Sequence, residues 1–278
     1  MKKTIYILAI MGLLFGACDK IEEPYLVETG GSGPVPGEKV RKVLLEEFTG
    51  HICVNCPEAT KLANDLKLVF GEQLVLLSIH AGDLAVPSGT PYTADYRTPT
   101  GTGMFNYYQP MGVPMGMVNR SPYQGSTVLF KDSWEPAIQD LIDIPPDAFI
   151  EIETVYNDGT RKLDIHVHTE FLKDLDRTYN LSVFIMESGI VSAQKNDEAS
   201  IGPSPDWFDY EHNHMLRKSL NGTWGDFLAD QPVSGTIMSK DYSITLDAEW
   251  VAGQCGIIAI VLDSETYEIL QVEEAHVQ

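Results

Sequence analysis

The chain has 278 residues, 44% of them hydrophobic, which is enough for one large domain or two ordinary ones. Its 40 acidic side chains outnumber 19 basic ones and give a formal net charge of −21. This charge repels phosphate backbones and anionic lipid head groups, so nucleic acid is not an expected partner. Two domains are the preferred interpretation.

Residues 1–17 have the pattern of an export signal. A basic start, MKK, precedes the apolar run IYILAIMGLLFG, which is too short for a permanent transmembrane helix. The stretch ends in FGAC, which resembles a bacterial lipobox. That resemblance implies cleavage before Cys18 and acyl chains, such as palmitate, on this cysteine, a combination that anchors a protein stably. An ordinary secretory peptide is the alternative, and either one takes the protein out of the cytoplasm.

Residues 18–39 are predicted to be a flexible tether. The segment is rich in glycine, proline and acidic residues, and it has little apolar surface to bury. We expect it to separate the lipid on Cys18 from the folded part of the chain.

Residues 40–145 are predicted to form the first domain. VLLEEF has the pattern of a buried strand, PEATKLANDLKLVFG that of a helix with Pro57 in its first turn, and EQLVLLSIHAG that of a strand covered on both faces. Together they form a βαβ unit. Cys53 and Cys56 lie in the loop between the first strand and the helix.

A Cys-x-x-Cys pair at this position resembles the thioredoxin superfamily. The partial positive charge at the helix N-terminus favours the thiolate of Cys53 and lowers its pKa from the usual value of about 8.5. Cys56, further along the helix, is then the buried resolving thiol. The sequence departs from the usual Trp-Cys-Gly-Pro-Cys because its proline follows the pair, so the reduction potential is left open.

The same resemblance implies roles for three more residues. Glu47, six positions before Cys53, matches a buried acid that relays the proton of Cys56, and the alternative is a solvated or salt-bridged glutamate. VPMGMVNR resembles a loop in which Pro114 is cis and Val113 offers backbone hydrogen bonds to a bound peptide, and the alternative is an ordinary trans turn. The tyrosine-rich insertion before this loop either lines a groove or caps the core.

Residues 146–278 are predicted to be a C-terminal antiparallel β-sandwich. AFIEIETVYND and RKLDIHVHTEF alternate apolar and polar residues on either side of an Asp158-Gly159 turn, which predicts a hairpin. Later runs continue the alternation and give six or seven strands. The predicted fold class is therefore α/β plus all-β, a thioredoxin-like domain followed by a sandwich.

No metal site and no cofactor are predicted. A zinc ion on Cys53 and Cys56 would need two more ligands, for which His51 and His80 are the nearby candidates. Cys255 starts an apolar strand and is expected to be a buried free thiol. Two other pairs have metal-like spacing and are interpreted as surface packing and as part of a structural loop, respectively: His166-x-His168 and His212-x-His214.

Several motifs together resemble the outer-membrane protein 28 family of lipoproteins. They are the signal and lipobox, EEFTGHICVNCPEA, VPMGMVNR, HNHMLR followed by GTWGDF, and the terminal DSETYEILQVEEA. The resemblance implies a lipid-anchored outer-membrane protein on the periplasmic or cell-surface face. Members of this family are described as adhesins or receptors, and the family implies no established substrate.

Two functions follow from these patterns. In the first, a membrane-tethered thiol-disulfide oxidoreductase acts on envelope proteins or peptides: Cys53 attacks a substrate disulfide, Cys56 resolves the mixed disulfide, and Pro114 positions the substrate. In the second, a surface binding module keeps Cys53–Cys56 as a permanent fastener. The disulfide closes a very small loop and so contributes little entropic stabilisation, which favours the first function.

Overall fold

The computed structural model describes residues 39–277, which form a mixed α/β fold made mostly of strands. The signal peptide, Cys18 and the tether before Lys39 lie outside the described residues. Within residues 39–277, no helix is long and apolar enough to cross a membrane.

The described residues contain three helices and thirteen strands. The helices are α1 (Cys56–Phe70), α2 (Pro99–Tyr108) and α3 (Trp134–Ile142). The strands are β1 (Val43–Thr49), β2 (Leu74–His80), β3 (Met115–Val118), β4 (Ala148–Asn157), β5 (Lys162–Phe171), β6 (Thr178–Glu187), β7 (Ile190–Lys195), β8 (Asp206–His212), β9 (Met215–Ser219), β10 (Asp226–Asp230), β11 (Ile237–Thr245), β12 (Cys255–Asp263) and β13 (Ile269–His276).

The predicted helix is present as α1, and it begins at Cys56, one residue before the predicted segment. Pro57 stands in the first turn, where its missing N–H has no intrahelical partner to lose. Ala63 and Leu66 are buried against the sheet. The helix ends at Gly71, whose φ of 58° is in the left-handed region that glycine adopts without strain. Cys56 is thereby fixed at the start of a rigid helix.

An eight-stranded sheet contains strands from both predicted domains. Its order is β13-β12-β6-β9-β2-β1-β3, with β10 also paired to β6. The two halves of the chain meet where β2 pairs parallel with β9 at Ser78 and Met215, and the Ser78 N–H donates to the His214 carbonyl at 2.8 Å. The division at residue 145 stays a prediction, since strands on both sides of it share this sheet.

A three-stranded sheet, in the order β11-β5-β4, packs against one face of the eight-stranded sheet. The predicted hairpin is present as β4 and β5, which pair from Ala148–Phe171 to Asn157–Lys162. Alternate residues of β5 are buried, because its apolar side chains face the shared core. The intervening histidines face outward.

The second half of the chain has more strands than the sequence predicted. Ten strands lie between residues 148 and 276 of the described region, where six or seven were expected. The difference lies in the segment interpreted as a structural loop, which forms β8 and β9 and leads into β10. β7 and β8 form a separate two-stranded sheet, and the end of β7 is hydrogen-bonded to the loop that carries Cys53.

Candidate functional site

Cys53 and Cys56 are joined by a disulfide at the N-terminus of α1. The Cys53 N–H donates to the Gly50 carbonyl at 3.0 Å and closes the loop between β1 and the helix. Cys53 is 2% exposed and Cys56 is 1% exposed, so both sulfurs are covered in this oxidised state. Cys255, the remaining cysteine of the described chain, is free and buried, as expected.

Glu47 is buried behind the disulfide. The Thr60 hydroxyl donates to its two carboxyl oxygens, at 3.2 and 3.1 Å. Thr60 lies one helical turn after Cys56, on the same face of α1. Burial raises the pKa of Glu47 to about 8, and the Thr60 hydrogen bond offsets part of this rise. Glu47 therefore carries a proton at neutral pH and can exchange it at slightly alkaline pH.

The neighbouring Glu46 has a different role, because a strand directs adjacent side chains to opposite faces. Its carboxylate accepts two hydrogen bonds from the Arg120 guanidinium, at 2.8 and 2.7 Å, and both side chains are fully buried. The salt-bridged alternative considered for Glu47 thus describes Glu46. This ion pair is structural and lies on the face away from Thr60.

Two small cavities lie beside Cys56 and beside Glu47. Cys56 and Tyr210 line the first, Glu47 lines the second, and Thr60 and Ser78 line both. Each has about 10 Å³ of room for the centre of a water molecule, which is close to the minimum for one water. Thr60, which bonds to Glu47 and lines both cavities, therefore lies between the surroundings of Cys56 and those of Glu47.

Three buried histidines lie beside this region. The His80 ring is 6.5 Å from the His51 ring and 5.4 Å from the His212 ring, measured between centroids. Burial lowers the pKa of His80 well below its usual value and that of His212 to about 3, so both rings are neutral. Across residues 39–277, no three His, Cys, Asp or Glu side chains are grouped so that they could hold a metal ion.

Val113 and Pro114 face the disulfide from the loop before β3. The Val113–Pro114 peptide bond is cis, as the sequence predicted. The Val113 carbonyl oxygen lies 3.6 Å from the Cys53 sulfur. A cavity of about 430 Å³ adjoins this contact and is lined in part by Met111 and Phe130. We call it the Pro114 groove; these two side chains are 82% and 60% exposed at its rim.

The structure thus brings Glu47, Cys53, Cys56, Val113 and Pro114 into one region. Cys18 lies outside the described residues. The pair His166 and His168 lies elsewhere, on the outward face of β5, and bonds to Asp241 and Ser239 of the adjacent strand.

Sequence reasoning missed the contribution of β7 and β8 to this region. Gln194, Tyr210 and His212 line the cavity beside Cys56, although they follow it by more than 130 residues. The alternation in DYEH could have indicated that Tyr210 and His212 share one face of a strand. Nothing local in the sequence indicates which surface that face contacts.

A family model described as "Outer membrane protein Omp28" matches residues 102–278. This match confirms the family resemblance that the motifs indicated. Among curated proteins, none matches the sequence.

Three solved structures are similar to this chain. HBP35 of Porphyromonas gingivalis is 15% identical with a TM-score of 0.64, over 86% of this chain and 76% of that one. A protein from Agrobacterium tumefaciens is 11% identical with a TM-score of 0.50, over 87% and 96%. A domain of the outer membrane lipoprotein Omp28 from Porphyromonas gingivalis is 19% identical with a TM-score of 0.33, over 49% and 93%. At these identities, the similarity to the first two concerns the fold alone.

Proposed function

We propose that this chain, which belongs to the Omp28 family of outer membrane proteins, exchanges thiols and disulfides with other proteins of the cell envelope. The observation that carries the proposal is the placement of the Cys53–Cys56 disulfide. It lies at a helix N-terminus, between the Val113 carbonyl on one side and the buried Glu47 on the other.

The proposal includes an anchor and two domains. Cys18 carries the lipid that attaches the chain to the outer membrane, with the folded part on the periplasmic or cell-surface face. Residues 40–145 form a thioredoxin-like domain and residues 146–278 a β-sandwich. The run from β1 through α1 to β2 supports the first assignment, and the packing of two sheets around a shared core supports the second.

Each residue has a defined part in the exchange. When a partner thiolate attacks Cys53, the Cys53–Cys56 bond breaks and Cys56 leaves as a thiolate, which takes the proton of Glu47 by way of Thr60. In the reverse step Cys56 returns the proton to Glu47 and attacks Cys53, and the partner thiolate leaves. The Val113 carbonyl and the adjoining Pro114 groove hold the partner segment beside Cys53.

A trapping experiment tests this proposal. The Cys56→Ser variant keeps the attacking thiol but cannot release a mixed disulfide, so we expect covalent adducts with envelope proteins on non-reducing gels. The Cys53→Ser variant is the matched control and should form none, because the Val113 carbonyl and the adjoining Pro114 groove place the partner segment beside Cys53 and not beside Cys56. Equal adduct formation by the two variants, or none by either, would contradict the proposal.

One observation favours a second function. Both cysteines are almost fully covered, which suits a permanent disulfide in a surface binding module. In that case the partner binds to a surface such as the Pro114 groove without covalent exchange. The Cys56→Ser variant would then bind the same partners as the wild-type protein and form no adduct.

A further inference from the structure

The loop that carries Cys53 is bonded to a segment from the far half of the chain. The backbone N–H of Lys195 donates to the His51 carbonyl at 2.8 Å, and that of Asp197 donates to the Val54 carbonyl at 3.0 Å. These two bonds place residues 195–197 alongside residues 51–54. The end of β7 therefore borders the disulfide loop directly.

Gln194 adds a buried side chain to this contact. Its Nε2 lies 2.9 Å from the Cys53 carbonyl oxygen, 3.3 Å from that of Gly50 and 2.9 Å from that of Lys195. An amide nitrogen has two hydrogens, so the three carbonyls share them. Gln194 is 2% exposed, and removing its amide would leave the Gly50 oxygen with the Cys53 N–H alone and the Cys53 oxygen with the longer bond from the Cys56 N–H, at 3.4 Å.

The local backbone explains why this side chain points at the loop. The pairing of β7 with β8 shifts register between Ser192 and Gln194. An irregularity of this kind re-aims the side chains near it, and such irregularities are common next to functional sites. Gln194 also lines the cavity beside Cys56, so it borders both cysteines.

We infer that Gln194 is a positioning residue of the Cys53–Cys56 centre. Its side chain holds the loop in the conformation of the disulfide and thereby lowers the reduction potential of the Cys53–Cys56 pair. Reduction adds two electrons and two protons and gives two thiols, which occupy more space than the bonded sulfurs. The Gln194 hydrogen bonds to the loop are present in the disulfide state, and we expect them to weaken when the loop adjusts to the two thiols. They therefore stabilise the oxidised state relative to the reduced state. This role of Gln194 rests on the proposed function, since it concerns how readily the same disulfide exchanges.

The first test compares reduction potentials. Gln194→Met keeps the size of the side chain and removes the donor. Gln271→Met is the matched control, because Gln271 is also 2% exposed and donates through Nε2 to a backbone carbonyl, that of Val40, at 2.8 Å. In thiol buffers of fixed composition, we expect Gln194→Met to shift by about tenfold toward the reduced form, about 30 mV. Gln271→Met should match the wild-type protein. A wild-type potential for Gln194→Met would overturn the inference.

The second test needs no variant. Hydrogen exchange of the Lys195 and Asp197 amides is compared in the oxidised and reduced wild-type protein. We expect faster exchange after reduction, because the loop then bonds less well to the end of β7. Equal exchange in both states would overturn the inference. The proposed function is decided separately, by trapping and by the absolute potential, whereas Gln194 is judged by differences between variants or redox states.

Discussion

Two adjacent buried glutamates of β1 show how the partner of a carboxyl group can give one residue type two roles. Glu46 forms a bidentate pair with Arg120, whereas Glu47 has only the Thr60 hydroxyl as a partner in the described region. Charge without a countercharge is costly inside a protein, so Glu47 shifts its pKa to about 8 and stays neutral. The same substitution at the two positions should therefore act in opposite directions.

We predict that Glu47→Gln stabilises the protein at alkaline pH. The unfolded carboxyl ionises near pH 4.5 and the folded one near pH 8. The wild-type protein thus loses stability as pH rises between these values, and Gln, which does not ionise, avoids that loss. The expected gain above pH 8 is about 4 kcal/mol relative to its value at pH 4.5, measured by chemical denaturation.

The contrasting variant is Glu46→Gln. It leaves the buried Arg120 charge without its countercharge, and it should destabilise the protein by roughly 3–5 kcal/mol at pH 7. A gain for Glu47→Gln that did not change with pH would contradict the assignment of a raised pKa to Glu47.

At the scale of elements, the sequence predicted the helices and strands that depend on interactions between neighbouring residues. α1 and β2 follow from apolar spacing and from the breaks at Pro57 and Gly71. Helix α2 was not predicted from the sequence, because its segment PTGTGMFNYY is rich in weak helix formers. It is stabilised by the Thr98 side chain, which accepts from the Gly101 N–H at 2.9 Å, and by burial of Met104.

The position of β8 beside the disulfide depends on contacts that no short window of sequence contains. On one face of β8, Tyr210 lines the cavity beside Cys56 and His212 packs against His80. The five predicted site residues within the described chain could be identified because the thioredoxin resemblance assigned them to one fold, and in the structure they lie together. The residues from β7 and β8 could not be assigned in this way, since they come from the other half.

The histidine cluster predicts sensitivity to acid. Burial lowers the pKa of His212 to about 3 in the folded state, whereas the unfolded ring titrates near 6.5. The unfolded state thus takes up a proton first, so this histidine's contribution is present above pH 6.5 and is lost as pH falls. Relative to the wild-type protein, His212→Gln should gain about 2 kcal/mol between pH 7 and pH 5. Denaturation curves at both values check this, and a difference independent of pH would contradict it.

At the scale of the whole molecule, Arg41 links segments on both sides of the predicted domain boundary. Its guanidinium donates to the carbonyls of Ile144, Pro145 and Leu270 at 3.1 Å, and to the Asp147 carboxylate at 2.7 Å. Together with the shared eight-stranded sheet, these bonds couple the two halves. We expect them to unfold together.

Arg41→Met should therefore destabilise the whole chain. We predict a loss of roughly 2–4 kcal/mol, because the buried Arg41 side chain makes four hydrogen bonds to partly buried acceptors that are lost at once. Arg97→Met is the control: within residues 39–277, Arg97 forms a salt bridge with the exposed Asp95 alone, and its loss should cost less than about 1 kcal/mol. Fluorescence and circular dichroism should give one coincident transition. Two separate transitions, with only one shifted by Arg41→Met, would contradict the coupling.

The central claim is that Cys53–Cys56 is a working redox centre, and its reduction potential tests this most directly. The oxidised protein is equilibrated with thiol buffers of known potential, and the free thiols of Cys53 and Cys56 are counted. We predict a value between roughly −120 and −270 mV, where thiol-disulfide catalysts lie. A disulfide that resists reduction below about −300 mV would contradict it and would identify the pair as a structural fastener.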